Sequence, residues 1–318
     1  MQQHGDALRD GASRAVLLDS FGGPEALALK DVPEPLAGDG QIRVRVSAAG
    51  LNPMDWLMTA DAETAARFGL SLPCGFGTDY AGVVDHVGAG ASGYASGDRV
   101  FGAALSRAVA DYVVLDANGN IASGIAHHTP DGVDDRTAAT LAIAGSTASA
   151  ALDILDLGPG DTALVGGAGG GVGVFAVQLA RIAGARVIGT GSPSSAEYLR
   201  SLGAEPVPYG EGLADRVRDL GAGTVTAVLD LHGTDTVHVA RELKVPDDRI
   251  CTIAGQVDGV PTANGANAAP DAVENIARLV AAGRLRVPLA ATYPVEDIRA
   301  AVELQAARHV RGKVVIDL

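Results

Sequence analysis

The run Ala163-Leu-Val-Gly-Gly-Ala-Gly-Gly-Gly-Val-Gly173 constrains this chain more than any other stretch. An apolar β-type segment passes straight into a glycine cluster, and Gly171 to Ala183 then reads as a helix with Phe175, Leu179 and Ile182 on one face. Glycines permit a tight turn and close backbone approach to a pyrophosphate. The helix that opens there offers unpaired N–H groups and the positive end of its dipole to the phosphates. The expected ligand is a nicotinamide dinucleotide.

On either side of this turn the pattern changes character. From Arg14 to Asp116 it consists of short β-type runs cut by Gly, Pro and Asp: Ala15 to Leu18, Ile42 to Val46, Ala81 to Val87, Arg99 to Phe101 and Tyr112 to Leu115. In Ile42-Arg-Val-Arg-Val46 apolar residues alternate with arginines, as in a strand with one wet face. This third predicts a small β-barrel-like domain. Val133 to Asp156 reads as helical and Leu157-Gly-Pro-Gly160 ends it. Strands at Thr162 to Val165, Arg186 to Gly189, Val225 to Leu229 and Ile250 to Ile253 then alternate with helices such as Ala196 to Leu202, which implies a doubly wound parallel sheet of Rossmann type. Helices over Asp271 to Ala282 and Val295 to Ala307 and a strand over Lys313 to Leu318 close the chain.

Charge and composition narrow the function classes. A net charge of −14 argues against a nucleic acid as partner, because a phosphate backbone needs a concentrated basic face. No apolar run is long enough to span a bilayer. The opening thirteen residues, MQQHGDALRDGAS, read as a polar leader without a signal core. Cys74 and Cys251 lie far apart and form no ligand-like cluster, so neither a disulfide framework nor a structural zinc site is expected, and a reducing cytoplasm is the expected compartment. The pair His127-His128 has no third ligand nearby in sequence and reads as exposed.

The fingerprint G-x-G-x-x-G falls on Ala168, Gly170 and Gly173, with Gly171 and Val172 between, and a small residue suffices at its first position. For NAD an acidic residue is expected about 20 residues further on, at the end of the second strand, to hold the ribose hydroxyls. The chain has Thr190-Gly-Ser-Pro-Ser-Ser195 there, with no carboxylate to repel a 2′-phosphate and with Ser192 and Ser194 able to donate hydrogen bonds. NADP(H) is the expected cofactor, although that loop holds no Lys or Arg. A P-loop is excluded because Gly312-Lys313 is followed by Val314 rather than Ser or Thr. A Tyr-x-x-x-Lys pair is absent as well, since the three lysines, Lys30, Lys244 and Lys313, do not follow a tyrosine by four.

Several segments together resemble the medium-chain dehydrogenase/reductase superfamily, in its zinc-independent quinone oxidoreductase and enoyl reductase branch. They are Phe21-Gly-Gly-Pro-Glu25, Ala49-Gly-Leu-Asn-Pro-Met-Asp-Trp56, Gly77-Thr-Asp-Tyr-Ala-Gly-Val-Val84, Gly97-Asp-Arg-Val-Phe101, the glycine turn with Phe175-Ala-Val-Gln-Leu-Ala180, and Val310-Arg-Gly-Lys-Val-Val315. The resemblance implies an α/β chain with a GroES-like β-barrel domain (14–125 and 268–318) and a Rossmann domain (126–267), preceded by the 1–13 leader. It also implies a homodimer.

Zinc alcohol dehydrogenases of this superfamily carry Cys where this chain has Asn52, and Gly-His-Glu where it has Gly77-Thr78-Asp79. The loop that holds a structural zinc in them is Gly102-Ala-Ala-Leu-Ser106 here, without cysteine. No metal is expected. Without a Lewis acid the favoured acceptors are a quinone or an α,β-unsaturated carbonyl, whose developing negative charge needs only hydrogen bonds.

The resemblance assigns Asn52 to the active-site cleft, on nicotinamide ribose or the acceptor oxygen. Asp55 reads as structural, while Trp56 and Leu57 are expected to wall the substrate pocket. Leu57 stands where relatives often carry Tyr or Lys and cannot donate a proton, which leaves water or Tyr80 as the source. Thr147 is expected near the nicotinamide, Tyr209 beside the adenosine phosphates and Gly255 at the cofactor's border. Arg311 and Lys313 either reach the cofactor from the last segment or are solvated surface charges.

The sequence thus predicts an NADPH-dependent reductase of a quinone or an activated double bond. Two alternatives stay open: a pathway-specific enoyl reductase of a polyketide-like intermediate, and a vestigial NADP-binding sensor or scaffold.

Overall fold

The structure is a computed structural model that describes residues 12–221 and 224–318. Its first part holds strands β1 (Ala12–Leu18), β2 (Leu27–Pro33) and β3 (Gln41–Leu51), helices α1 (Pro53–Met58) and α2 (Ala62–Arg67), then β4 (Cys74–Gly75), β5 (Asp79–Val87), β6 (Arg99–Ala103), β7 (Tyr112–Asp116) and β8 (Ile125–His128). Of the expected leader, residues 1–11 lie outside the described residues. Ala12 and Ser13 already belong to β1, where Ser13 is buried and pairs with Val32.

The chain continues through α3 (Asp135–Ala138), α4 (Ala142–Leu155), β9 (Thr162–Gly166), α5 (Gly173–Ile182), β10 (Arg186–Gly191), α6 (Ala196–Leu202), β11 (Glu205–Pro208), α7 (Leu213–Asp219), β12 (Ala227–Asp230), α8 (Asp235–Glu242) and β13 (Ile250–Thr252). It ends with α9 (Ala272–Ala281), β14 (Leu289–Pro294), α10 (Ile298–Ala306) and β15 (Lys313–Asp317). The single helical segment expected over 133–156 is two helices, α3 and α4, the second ending at Asp156 in a left-handed conformation (φ 45°). No helix among the described residues is long and apolar enough to cross a membrane.

Strands β11-β10-β9-β12-β13 form a parallel sheet, the third-second-first-fourth-fifth order of a Rossmann half. Successive residues feed opposite faces, as the two-residue period of a strand requires. Val165, Val187 and Leu229 pack with α4, α5 and α9, while Leu164, Ile188 and Val228 pack with α7 and α8. Helix α5 is enclosed on most of its surface rather than along one stripe. Phe175 is fully buried, but Ile182, expected on the same face, is exposed.

The seven-stranded sheet runs β14-β15-β3-β5-β6-β8, with β7 also paired to β3. Alternation holds on β3, where Ile42, Val44 and Val46 are buried and the intervening arginines are not. Those three residues, with Tyr80, Val84, Val100 and Leu115, fill the barrel. Strand β15 joins this sheet although it is last in sequence, pairing Val314 with Leu51. On the other side of β3, Asp79 of β5 pairs with Gly50. Gly50 must be glycine, since a Cβ there would lie 2.0 Å from the Ala139 carbonyl oxygen. Three neighbouring strands therefore end together beside α3 and α4.

Candidate active site

Strand register builds a buried polar cluster at this junction. Asn52 follows the last residue of β3 and precedes Pro53, which opens α1. The Asp55 carboxylate, one turn on, reaches back to the Asn52 backbone N–H at 2.8 Å and accepts the Thr78 hydroxyl at 2.7 Å. Asp79 accepts the Asn52 side-chain N–H at 2.8 Å on one oxygen and the backbone N–H of Ile143, in α4, at 3.0 Å on the other. Lys313 donates from Nζ to Asn52 Oδ1 at 2.6 Å and to the Leu51 carbonyl at 3.1 Å, with Asp79 3.7 Å away.

All five side chains are buried, Lys313 at 2% exposure and Asp79 at 0%. Two carboxylates and one ammonium thus share a site without bulk water. Burial pushes Asp55 up to about 7, against the Thr78 and Asn52 hydrogen bonds that favour its charged form. Burial also raises Asp79 and lowers Lys313, and each is opposed by the attraction between them. Lys313 is therefore a buried member of the cluster and not a solvated surface charge.

The glycine turn lies next to this cluster. A Cβ at Gly173 would meet the carbonyl oxygens of Gly167 and Ala168 at 2.4 and 2.5 Å, so only glycine closes the turn. Ala168 is fully buried against Gly189, and Val172 packs on the core. Gly170 N–H bonds Gly167, whereas the amides of Gly171, Val172 and Gly173 make no hydrogen bond among the described residues. These are free donors at the start of a ten-residue helix, and they fit a pyrophosphate. The segment before β15 lies on the turn: Gly312 N–H donates to Gly169 O at 3.0 Å, and the place of a Gly171 Cβ is 3.3 Å from Lys313 Cδ.

Beyond β10, Ser192 and Ser194 hydrogen-bond each other at 3.0 Å, and Arg311 Nη2 donates to Ser194 Oγ at 2.6 Å. The cation missing from the serine loop thus arrives from the C-terminal segment. Tyr209 is 60% exposed, and its backbone N–H bonds Gly191 at the end of β10. Tyr198 on α6 was not singled out from sequence. Its ring faces Gly169, and its hydroxyl is buried without a partner.

Thr147 lies on α4 and returns its hydroxyl to Ile143 O at 2.7 Å, next to Gly265. Gly255 packs against Thr234, where a Cβ would lie 2.6 Å from Thr234 Cγ2. The C-terminal segment thus touches both the serine loop, through Arg311 and Ser194, and the glycine turn, through Gly312 and Lys313.

Two expectations need correction, those for Tyr80 and His127. Tyr80 faces the opposite side of β5 from Asp79, is fully buried in the barrel and donates to Ile125 O at 2.9 Å, so its hydroxyl cannot reach an acceptor in the cleft. Trp56 is partly buried against the core cluster that includes β15 and α10 residues, with its N–H on Gln305 Oε1 at 3.1 Å. Leu57, the next residue round α1, is 42% exposed. His127 is half-buried between Phe101 and Glu274, while His128 is exposed as expected.

The donor set at Asn52, Thr78 and Asp79 does not fit a zinc ion. It offers neither thiolate nor imidazole, and the Lys313 ammonium already occupies the open side of the Asn52 amide. Among the described residues no group of three His, Cys, Asp or Glu side chains is placed to hold a metal.

Residues 38–139 match the alcohol dehydrogenase GroES-like domain and residues 171–303 the zinc-binding dehydrogenase family. A quinone oxidoreductase of Pseudomonas aeruginosa is 31% identical over 96% of this chain and 99% of its own. A mycocerosic acid synthase-like polyketide synthase of Mycobacterium tuberculosis is 29% identical over 88% of this chain but only 14% of its own. Among solved structures, the CurK enoyl reductase superposes with a TM-score of 0.83 at 25% identity, covering 96% of this chain and 99% of that one. With a GroES-like barrel, a Rossmann sheet and a glycine turn beside Asn52, the chain belongs to the medium-chain dehydrogenase/reductase superfamily, in its quinone oxidoreductase and enoyl reductase branch.

Proposed function

We propose that the chain is an NADPH-dependent reductase of a quinone or an α,β-unsaturated carbonyl and works without zinc. One observation carries this reading: Lys313 borders the glycine turn at Gly171 with its stem and holds Asn52 with its ammonium, so a dinucleotide lying on the turn runs toward Asn52. Gly171, Val172 and Gly173 would hold the pyrophosphate and Arg311 with Ser192 and Ser194 the 2′-phosphate, while Tyr209 flanks the adenosine and Thr147 and Gly255 border the nicotinamide side.

A reduced nicotinamide bound there supplies a hydride, and with one proton from solvent the acceptor gains two electrons and two hydrogens. The chain's part is placement. Asp55 fixes the Asn52 backbone, Asp79 and Lys313 fix its amide, and the amide offers its remaining N–H to the acceptor oxygen. Tyr80 has no role in proton delivery.

The likeness to part of a polyketide synthase supports a second reading, an enoyl reductase dedicated to an acyl or polyketide-like intermediate. Bulky conjugated substrates would then outperform simple quinones by orders of magnitude. A homodimer in the cytoplasm completes the proposal and is tested by light scattering and fractionation. The activity itself is tested by loss of reduced-nicotinamide absorbance with a panel of quinones and enones. Tight NADPH binding with silence across that panel would favour the vestigial sensor instead.

A further inference from the structure

The Asn52 amide is held from both ends by opposite charges. Its oxygen accepts from the Lys313 ammonium and its nitrogen donates to Asp79, so a flipped amide would set NH2 against NH3+ and oxygen against carboxylate. The orientation is therefore fixed, and one Nδ2–H remains without a partner among the described residues. Lys313 spends its ammonium on groups inside the cluster. At 2% exposure its Nζ points at Leu51 O, Asn52 Oδ1 and Asp79, all of which are acceptors, as an ammonium requires.

We propose that Lys313 is a charged positioning residue that takes over the electrostatic work of the metal: as an ammonium it polarises the Asn52 amide from the oxygen side and makes the free Nδ2–H a strong donor to the acceptor oxygen. A zinc ion in the zinc-dependent relatives meets that oxygen from the front, whereas this charge acts from behind an amide. The inference rests on the proposed reductase function. A bound reduced nicotinamide would give up a ring C–H bond and be oxidised by two electrons as its hydride forms the new C–H bond at the acceptor's electrophilic carbon; the acceptor's π pair would move onto the oxygen, and a solvent proton would complete the reduction. Lys313 transfers no proton and stays an ammonium throughout.

The chain has only three lysines, so K30R/K244R leaves Lys313 alone in the lysine side-chain NMR spectrum. An ammonium signature at pH 7 is expected, and a neutral amine would overturn the proposal. The Asn52 side-chain N–H resonance should lie downfield and move upfield in K313M; an unmoved resonance would equally overturn it. Neither readout needs turnover, so a wild-type protein that reduces no acceptor refutes the function without deciding the charge.

With an acceptor in hand, K313M should lower kcat at least about tenfold, less than the roughly 100-fold or more that deleting an oxyanion donor itself costs because the Asn52 N–H is retained, with a smaller change in acceptor KM. K313M/D79N, which leaves no unpaired buried carboxylate at Asp79, should show the same loss while keeping the wild-type fold. K313R should restore part of it. Wild-type kcat in the folded double variant would contradict the proposal.

Discussion

Arg311 and Ser194 meet at 2.6 Å across 117 positions of sequence. The contact brings a guanidinium to a loop whose own residues offer only hydroxyls, beside the end of β10 where an adenosine ribose is expected. Arg311→Ala should weaken NADPH about 10- to 100-fold, the equivalent of one charge-assisted hydrogen bond, and leave NADH nearly unchanged. Fluorescence titration with both cofactors checks this. Equal losses for the two would show that Arg311 does not read the 2′-phosphate.

Gly173→Ala sets a methyl group against two backbone oxygens at 2.4 and 2.5 Å, which the turn can relieve only by opening. Cofactor affinity should fall at least about tenfold, or ~1.4 kcal/mol, with circular dichroism unchanged. Full affinity in the variant would remove the turn from the binding site.

Asp55 links the cluster to pH. Its folded pKa of about 7 lies above the value near 3.8 in the unfolded chain, so the folded state holds its proton more tightly. Below about pH 4 both states are protonated and the group costs nothing. Between about pH 4 and 7 the unfolded chain ionises first and stability falls, by on the order of 4 kcal/mol at the top of the window. Urea unfolding of wild type against Asp55→Asn, pH by pH, isolates this slope. The difference between the two should change through that window, and a flat difference would place Asp55 as a normally ionised group.

Tyr80→Phe separates the barrel from the chemistry. Removing the hydroxyl that donates to Ile125 O should cost about 1–3 kcal/mol of stability and leave kcat intact. A large fall in kcat with unchanged stability would restore Tyr80 as a proton donor.

What could be read along the chain was what is local. The glycine turn, the alternation over Ile42 to Val46 and the strand-helix order after β9 are set by neighbours in sequence, and they appear as expected. Asn52 and the C-terminal pair were legible as cleft candidates through motif resemblance. Their partners were not, because Lys313 meets Asn52 over 261 positions and only the β15-β3-β5 register brings them together. Tyr80 misled for a related reason: a motif marks a position, but the two-residue period of β5 decides which side the ring faces.

The central claim is an NADPH-linked reductase whose site needs no metal, and it is tested most directly by NADPH oxidation with quinones and enones before and after exhaustive chelation. Undiminished turnover by metal-free protein is expected. Activity lost on chelation and restored by zinc would contradict it, as would the absence of any NADPH oxidation by protein that binds the cofactor.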